Sequence, residues 1–184
     1  ILAHKLWATL PSELDTEPEW VQAGGMYLAD NEEDFEWFRR QAVVMGELGM
    51  DVKALPRVEV EAMIPEIAGT WVGAYYNQNN GHADPVKTTT AFARAAQELG
   101  VKIYTRCAAE RIEVTNGAVS SVLTERGEIK TSVVVCAAGA WSSKVGRMVG
   151  LDLPQRKVRA TVARTYPVPI FTRTNVWGGG VAVR

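Results

Sequence analysis

The stretch Val133-Val134-Val135-Cys136-Ala137-Ala138-Gly139-Ala140-Trp141-Ser142 decides how this chain is read. Its first six residues are apolar without interruption. Such a run suits a strand covered on both faces, as in a parallel sheet under helices. Gly139 ends the strand, Ser142 or Ser143 can cap a short helix through Met148, and Gly150 closes that helix. A buried parallel strand that ends in small residues and then opens a helix is a place where ligands bind. Backbone can approach a phosphate closely where there is little side chain, and the crevice lies beyond the strand's carboxyl end. The new helix N-terminus adds free N–H groups and a partial positive charge. A tight strand-to-helix turn without a ligand would use the same residues, and the residues alone leave both readings open.

Working back from this run, the pattern is a meander of short strands. Ile112 and Val114 lead into Asn116-Gly117, the strongest short hairpin signal. Residues 119–124 return, Arg126-Gly127 turns again, and residues 128–131 form a third strand. Before it, Val101, Ile103 and Thr105 alternate as a strand would. Asp84-Pro85 is an N-cap followed by proline at the first helical position, which predicts a helix to Leu99 with Gly100 as its left-handed stop.

Further back, residues 2–10 suit a short helix that Pro11 and Ser12 interrupt. Residues 26–29 suit a strand. Asp30 and Asn31 can cap a helix to about Leu48, with Phe35, Phe38, Ala42 and Met45 on one packing face and Gly49 after it. Residues 51–72 are mixed, with Leu55-Pro56 and Ile64-Pro65 bounding a short helix that holds Val58, Val60 and Met63. Residues 73–76 suit another strand, and residues 77–81 have turn chemistry. Downstream, Val158, Ala160 and Val162 alternate as a half-exposed strand, and Gly178-Gly179-Gly180 reads as a hairpin turn.

Composition excludes several classes. The chain has 184 residues, 47% hydrophobic and 22% charged, with a formal net charge of -1 and a pI of about 6.2. No basic surplus points to nucleic acid or to a membrane surface. No apolar stretch approaches the ~18 to 20 residues of a membrane helix. Cys107 and Cys136 form no disulfide framework and no metal-ligand spacing, and read as buried free thiols of a cytoplasmic protein. His4 and His82 read as surface histidines. The chain opens on Ile1 and closes on the strand-like Val181-Ala182-Val183-Arg184, so both ends read as cuts or limits of order, and the chain as an internal fragment.

Residues 84 to 142, with their surroundings, resemble the FAD-dependent family that includes D-amino-acid oxidase, glycine oxidase and sarcosine oxidase. The resemblance rests on Gly81, Asp84-Pro85, the helix Ala91-Phe92-Ala93-Arg94-Ala95-Ala96, Gly100-Val101-Lys102-Ile103, Asn116-Gly117-Ala118-Val119, and Val134 through Ser142. Leu153-Pro154, Arg159 and Thr165-Tyr166-Pro167 extend it. Trp7, Gly24-Gly25-Met26 and Ile64-Pro65 fit more loosely.

The resemblance implies FAD as cofactor. It implies that Ala138, Gly139 and Trp141 lie against the diphosphate and ribose, and that the backbone at Ala109 receives the adenine. The family often has valine at that last place, and threonine where Cys107 stands. Some sarcosine oxidase subunits attach a second flavin through a histidine directly before the matching aspartate; Ala83 holds that place here. No G-x-G-x-x-G follows a strand in this chain.

The expected fold is α/β. A partial FAD-binding, Rossmann-like lobe with a three-stranded β-meander occupies 82–151. An antiparallel-sheet substrate lobe is built from 1–81 and 152–184. The implied reaction is oxidation of the C–N bond of an amine or amino acid by hydride transfer to flavin, in a small-molecule enzyme without nucleic-acid or membrane partners. A flavoenzyme for a hydroxy acid or glycerol phosphate, or a non-catalytic domain that retains the scaffold, are the alternatives. No catalytic acid or base is readable. Arg159, Arg164 and Arg184 could each pair a substrate carboxylate.

Overall fold

In the computed structural model, which describes residues 2–16, 18–163 and 165–183, thirteen regular elements follow one another. They are α1 (Leu2–Glu13), β1 (Gly25–Ala29), α2 (Glu32–Glu47), β2 (Val52–Pro56), α3 (Arg57–Met63), β3 (Gly73–Asn77) and α4 (Pro85–Glu98). After them come β4 (Ala109–Thr115), β5 (Ala118–Thr124), β6 (Gly127–Lys130), α5 (Ser142–Arg147), β7 (Asn175–Gly178) and β8 (Val181–Val183). A 3-10 turn, Gly139–Trp141, leads directly into α5. The chain divides into two compact units, Ile1–Val101 with Pro167–Arg184, and Lys102–Tyr166. The fold class is mixed α/β, as the sequence implied.

The first unit is built on a five-stranded sheet in the order β2-β3-β1-β7-β8. Its neighbours are antiparallel except β1 and β7, which run parallel with Tyr27 opposite Trp177. The expected antiparallel sheet is therefore mixed. Strands far apart in sequence are joined by a crossover, which leaves them free to pair in parallel, whereas a tight hairpin is not.

Alternation along the strands sends Met26, Leu55 and Ala74 to one face, where they form a core with Val60, Ile64 and Trp71. Met26 and Ile64 are 0% and 1% exposed; burying side chains of that size stabilises by about 1.5 to 3 kcal/mol each. Trp71 is fixed from outside by Arg57, whose guanidinium lies 4.7 Å from the ring and donates to the Trp71 carbonyl at 3.0 Å. The opposite face carries Tyr27, Tyr75 and Trp177. Tyr27 stacks on Trp177 with ring centroids 4.7 Å apart. The Phe35 ring of α2 lies over Gly73, where a Cβ would come within 2.5 Å of it.

Local chemistry sets the helix ends. Asn31 Oδ1 accepts from the Asp34 N–H at 2.9 Å and its amide donates back to Asp34 Oδ2 at 2.8 Å. Asp84 Oδ1 accepts from the Val86 and Lys87 N–H groups. α4 closes with Gly100 N–H to Gln97 O and Val101 N–H to Ala96 O, the paired bonds of a Schellman motif. α1 continues through Pro11, contrary to the expected interruption. Hydroxyls fill carbonyls around the proline: Ser12 Oγ donates to Thr9 O, and Thr9 Oγ1 to Leu6 O.

The second unit holds the antiparallel meander β4-β5-β6. Asn116 and Gly117, at φ +52° and +78°, form its first turn, as a two-residue type I′ hairpin requires.

Three strand expectations fail. Residues 101–105, 133–138 and 158–162 form no ladder. A strand needs a neighbour to take its N–H and C=O groups, and among the described residues none pairs with these segments. Val101 has instead spent its N–H on closing α4. Val135 is 84% exposed and Val162 94%. Cys136 is exposed for the same reason and Cys107 is half-buried, so neither is the buried thiol expected.

Candidate cofactor site

The run from Val133 reaches Gly139 without regular secondary structure, and Ala138, at φ -84° and ψ 9°, has already left the extended region. Gly139 has φ +52°, a left-handed value that costs a residue with a Cβ about 1 to 2 kcal/mol. A Cβ built there meets nothing within 4 Å. The glycine is therefore required by its backbone angle, and the space in front of it is open. Trp141 N–H returns to the Ala138 carbonyl at 2.9 Å, which closes the 3-10 turn. The Trp141 ring stands 62% exposed beyond it. Ala138, Gly139 and Trp141, three of the four residues expected at the cofactor, thus share one turn.

Neither expected serine caps α5. Its N-cap is Trp141, without a side-chain hydrogen bond. The partner comes from the returning chain: Gln155 Oε1 accepts from the Ser143 N–H at 3.0 Å, and Gln155 Nε2 donates to the Gly139 carbonyl at 2.8 Å. Two residues on, Lys157 Nζ lies 5.3 Å from the centre of the Trp141 ring, within cation–π range. The same return packs on α5, where a Cβ at Gly146 would stand 3.1 Å from the Leu151 carbonyl and Leu153 Cδ1. Gln155 and Lys157 carry no motif, and only the lack of a capping side chain at the turn hints that a distant residue must supply one.

Ala109 is exposed at the start of β4 and pairs with Thr124, beside a register shift. β4 makes its contacts with β5 and the 3-10 turn makes its contacts with α5, so Ala109 is not brought to the turn. Ala108, next to it, is tied on both sides: its N–H donates to Glu125 Oε2 and its carbonyl accepts from the Glu125 N–H, each at 3.2 Å. Arg159 is exposed on the segment that forms no strand. Arg164 and Arg184 lie outside the described residues, as does the side chain of His4.

His82 is half-buried and not a surface histidine: its backbone bridges to Val21, and it lines a cavity of about 560 Å³ with Trp7, Trp20 and Thr88 in the first unit. Among the described residues no group of histidine, cysteine, aspartate and glutamate could hold a metal ion. None of their helices is long and apolar enough to cross a membrane.

One unit with a glycine turn and a three-stranded meander, and one with a mixed five-stranded sheet, define the class as a mixed α/β protein. The comparisons with known proteins narrow it. The FAD dependent oxidoreductase family matches residues 1–182, and the chain belongs to that family. It is 32% identical over 151 residues to mitochondrial sarcosine dehydrogenase of Mus musculus, covering 79% of this chain and 16% of that protein. It is 31% identical over 156 residues to sarcosine oxidase subunit beta of Arthrobacter sp, covering 82% of this chain and 38% of the subunit. Among solved structures, glycine oxidase from Geobacillus kaustophilus superposes with a TM-score of 0.79 at 27% identity, over 96% of this chain and 48% of that one. The chain thus spans less than half the length of each of these relatives. The cofactor of the family is FAD. The residues of the turn fit it: open space before a side-chain-free backbone, and an exposed indole beside it.

Proposed function

We propose that the protein carrying this chain oxidises the C–N bond of a small amine or amino acid of the sarcosine or glycine type. Membership of the FAD-dependent oxidoreductase family supports the redox class. The names of its relatives, sarcosine dehydrogenase, sarcosine oxidase and glycine oxidase, support the substrate class. When bound, FAD supplies the acceptor for the hydride that leaves the substrate carbon.

The chain's own part is to bind and orient. The observation that carries this role is the open, left-handed turn at Gly139. Ala138 and Gly139 offer backbone to the diphosphate and ribose, Trp141 offers its ring, and Ala109 offers backbone to the adenine. The proposed cofactor lobe is 82–151, and the proposed substrate lobe is 1–81 with 152–184. Arg159, Arg164 and Arg184 are proposed partners for a substrate carboxylate. The proposed location is the cytoplasm, in keeping with two free cysteines.

The test is anaerobic reduction of the purified complete protein. Bleaching of its flavin band by sarcosine or glycine, but not by glycerol phosphate or a hydroxy acid, is the expected result. Reduction by the hydroxy compounds alone would move the reading to the other substrate class. A protein that takes up no flavin would leave a non-catalytic scaffold.

A further inference from the structure

The Gly139–Trp141 turn passes through a left-handed glycine, an angle that glycine adopts without strain. Local backbone bonds close it, Trp141 N–H to the Ala138 carbonyl and Ser142 N–H to the Gly139 carbonyl. Ala138 and Trp141, the residues at the N-cap positions of the turn and of α5, make no side-chain capping hydrogen bond. The Ser143 N–H, one of the orphan donors at a helix start, and the Gly139 carbonyl both look to the same distant group. A glutamine amide can answer both because it carries an acceptor and a donor in one plane. Gln155 does so, at 3.0 and 2.8 Å. The Gly139 carbonyl also accepts from the Ser142 N–H, so both of its lone pairs are used. Aspartate or lysine at position 155 could not make this pair of bonds, since one only accepts and the other only donates. Lys157 meets the Trp141 ring from the same returning segment.

We propose that Gln155 is a positioning residue for the cofactor: it holds Gly139 and the start of α5 in the conformation to which FAD binds, without touching FAD itself. This rests on the cofactor reading given above. It predicts a loss that falls on flavin affinity more than on folding. The meander of the second unit is held by its own pairings, β4 with β5 and β5 with β6.

The experiment compares Gln155→Ala, Gln155→Glu and Gly139→Val. In the chain itself, amide exchange is followed residue by residue. Gln155→Ala should speed exchange at Ser143 and leave the β4–β6 amides as they were. In apoprotein of the complete polypeptide, FAD is titrated and the denaturation midpoint is measured in parallel. Gln155→Ala should weaken FAD binding about tenfold, the worth of one to two net hydrogen bonds, with the apoprotein midpoint close to that of the parent. Gln155→Glu keeps the acceptor for Ser143 but turns an acceptor oxygen toward the Gly139 carbonyl, so its affinity should fall at least as far as that of Gln155→Ala, and it serves as the test should the alanine variant not fold.

If Gly139→Val weakens FAD while Gln155→Ala changes neither exchange nor affinity, the turn is a cofactor site and the role of Gln155 is overturned. A midpoint that falls as far as the affinity would reduce Gln155 to a structural cap and overturn it too. If Ser143 exchange rises but neither variant alters FAD binding, the turn leaves the cofactor site and the proposal falls with it, an outcome that Gly139→Val separates from the first.

Discussion

The five-stranded sheet and the segment leading to Gly139 are both rich in apolar residues, yet one is packed and the other stands open. Met26, Ile64 and Trp71 find partners from β2, α3 and β3 within the same unit. Val133 and Val135 find none among the described residues. Apolar character states what a segment would bury, and its neighbours decide whether it does. The clearest way to break this contrast is a pair of truncations. Ile64→Ala should destabilise the first unit by about 2 to 5 kcal/mol, as large-to-small changes in closed cores do. Val135→Ala should stay within about 0.5 kcal/mol in this chain. Urea denaturation followed by exchange of core amides reads both. Equal losses would mean that the run at Val135 is packed after all. In the complete protein, where the relatives are more than twice as long, the Val135 loss should grow if that run becomes a buried strand there.

Two glycines sharpen the same comparison. Gly73 sits beneath the Phe35 ring, and a Cβ would overlap it at 2.5 to 2.7 Å. Gly139 faces open space but has φ +52°. The first is glycine for lack of room, the second for its backbone angle. Alanine should cost about 1 to 3 kcal/mol at Gly73 through overpacking and about 1 to 2 at Gly139 through the left-handed angle. Asparagine should reverse the trend: worse than alanine at Gly73 because it is larger, and milder at Gly139 because it tolerates this region. Thermal denaturation of the four variants gives the order, and a Gly139→Asn that is worse than Gly139→Ala would show that room, not angle, governs the turn.

The sequence was most legible where a structure is made by adjacent residues. Asp84-Pro85, Asn31 with Asp34, Asn116-Gly117 and Gly100 each state their role within four or five positions, and the structure uses each of them as expected. Asp84→Ala should therefore cost about 0.5 to 2 kcal/mol, by losing the bonds to Val86 and Lys87. An unchanged denaturation midpoint would count against the cap.

Legibility failed where the partner is remote. The alternation at 101–105 and 158–162 resembled strands, but alternation says nothing about which strand lies alongside. The parallel pairing of β1 with β7 joins residues about 150 positions apart, such as Gly25 and Asn175, and no local pattern announces it. Within the candidate site, Gly139 and Trp141 stood out as a turn beside an apolar run. Gln155 did not, because a glutamine in the polar run Gln155-Arg156-Lys157 looks like any solvated residue until the turn it serves is seen.

The smallest effect concerns the aromatic face of the first unit. Burial raises the pKa of Tyr75 above the ordinary tyrosine value, and the charge of a neighbouring ionised Tyr27 raises it further. Tyr76 is raised as well, by burial first and by Asp51 second. A raised value means that the folded chain holds the phenolic proton more tightly than the unfolded one. The stability this contributes is complete below the unfolded value of about 10 and is lost as the pH climbs through the folded value. The tyrosines of the second unit, Tyr104 and Tyr166, are exposed. An alkaline loss of stability should consequently show in the amides of β1 and β3 before those of the meander. Tyr75→Phe should flatten that alkaline limb and leave stability near neutral pH little changed, since it removes a hydroxyl and keeps the ring that packs on Phe38 at 5.8 Å. Denaturation midpoints of parent and variant, measured from neutral pH to beyond the tyrosine range, give the comparison. Limbs that fall in parallel would mean that Tyr75 ionises without cost to the sheet, and that its ring, not its proton, is what this face depends on.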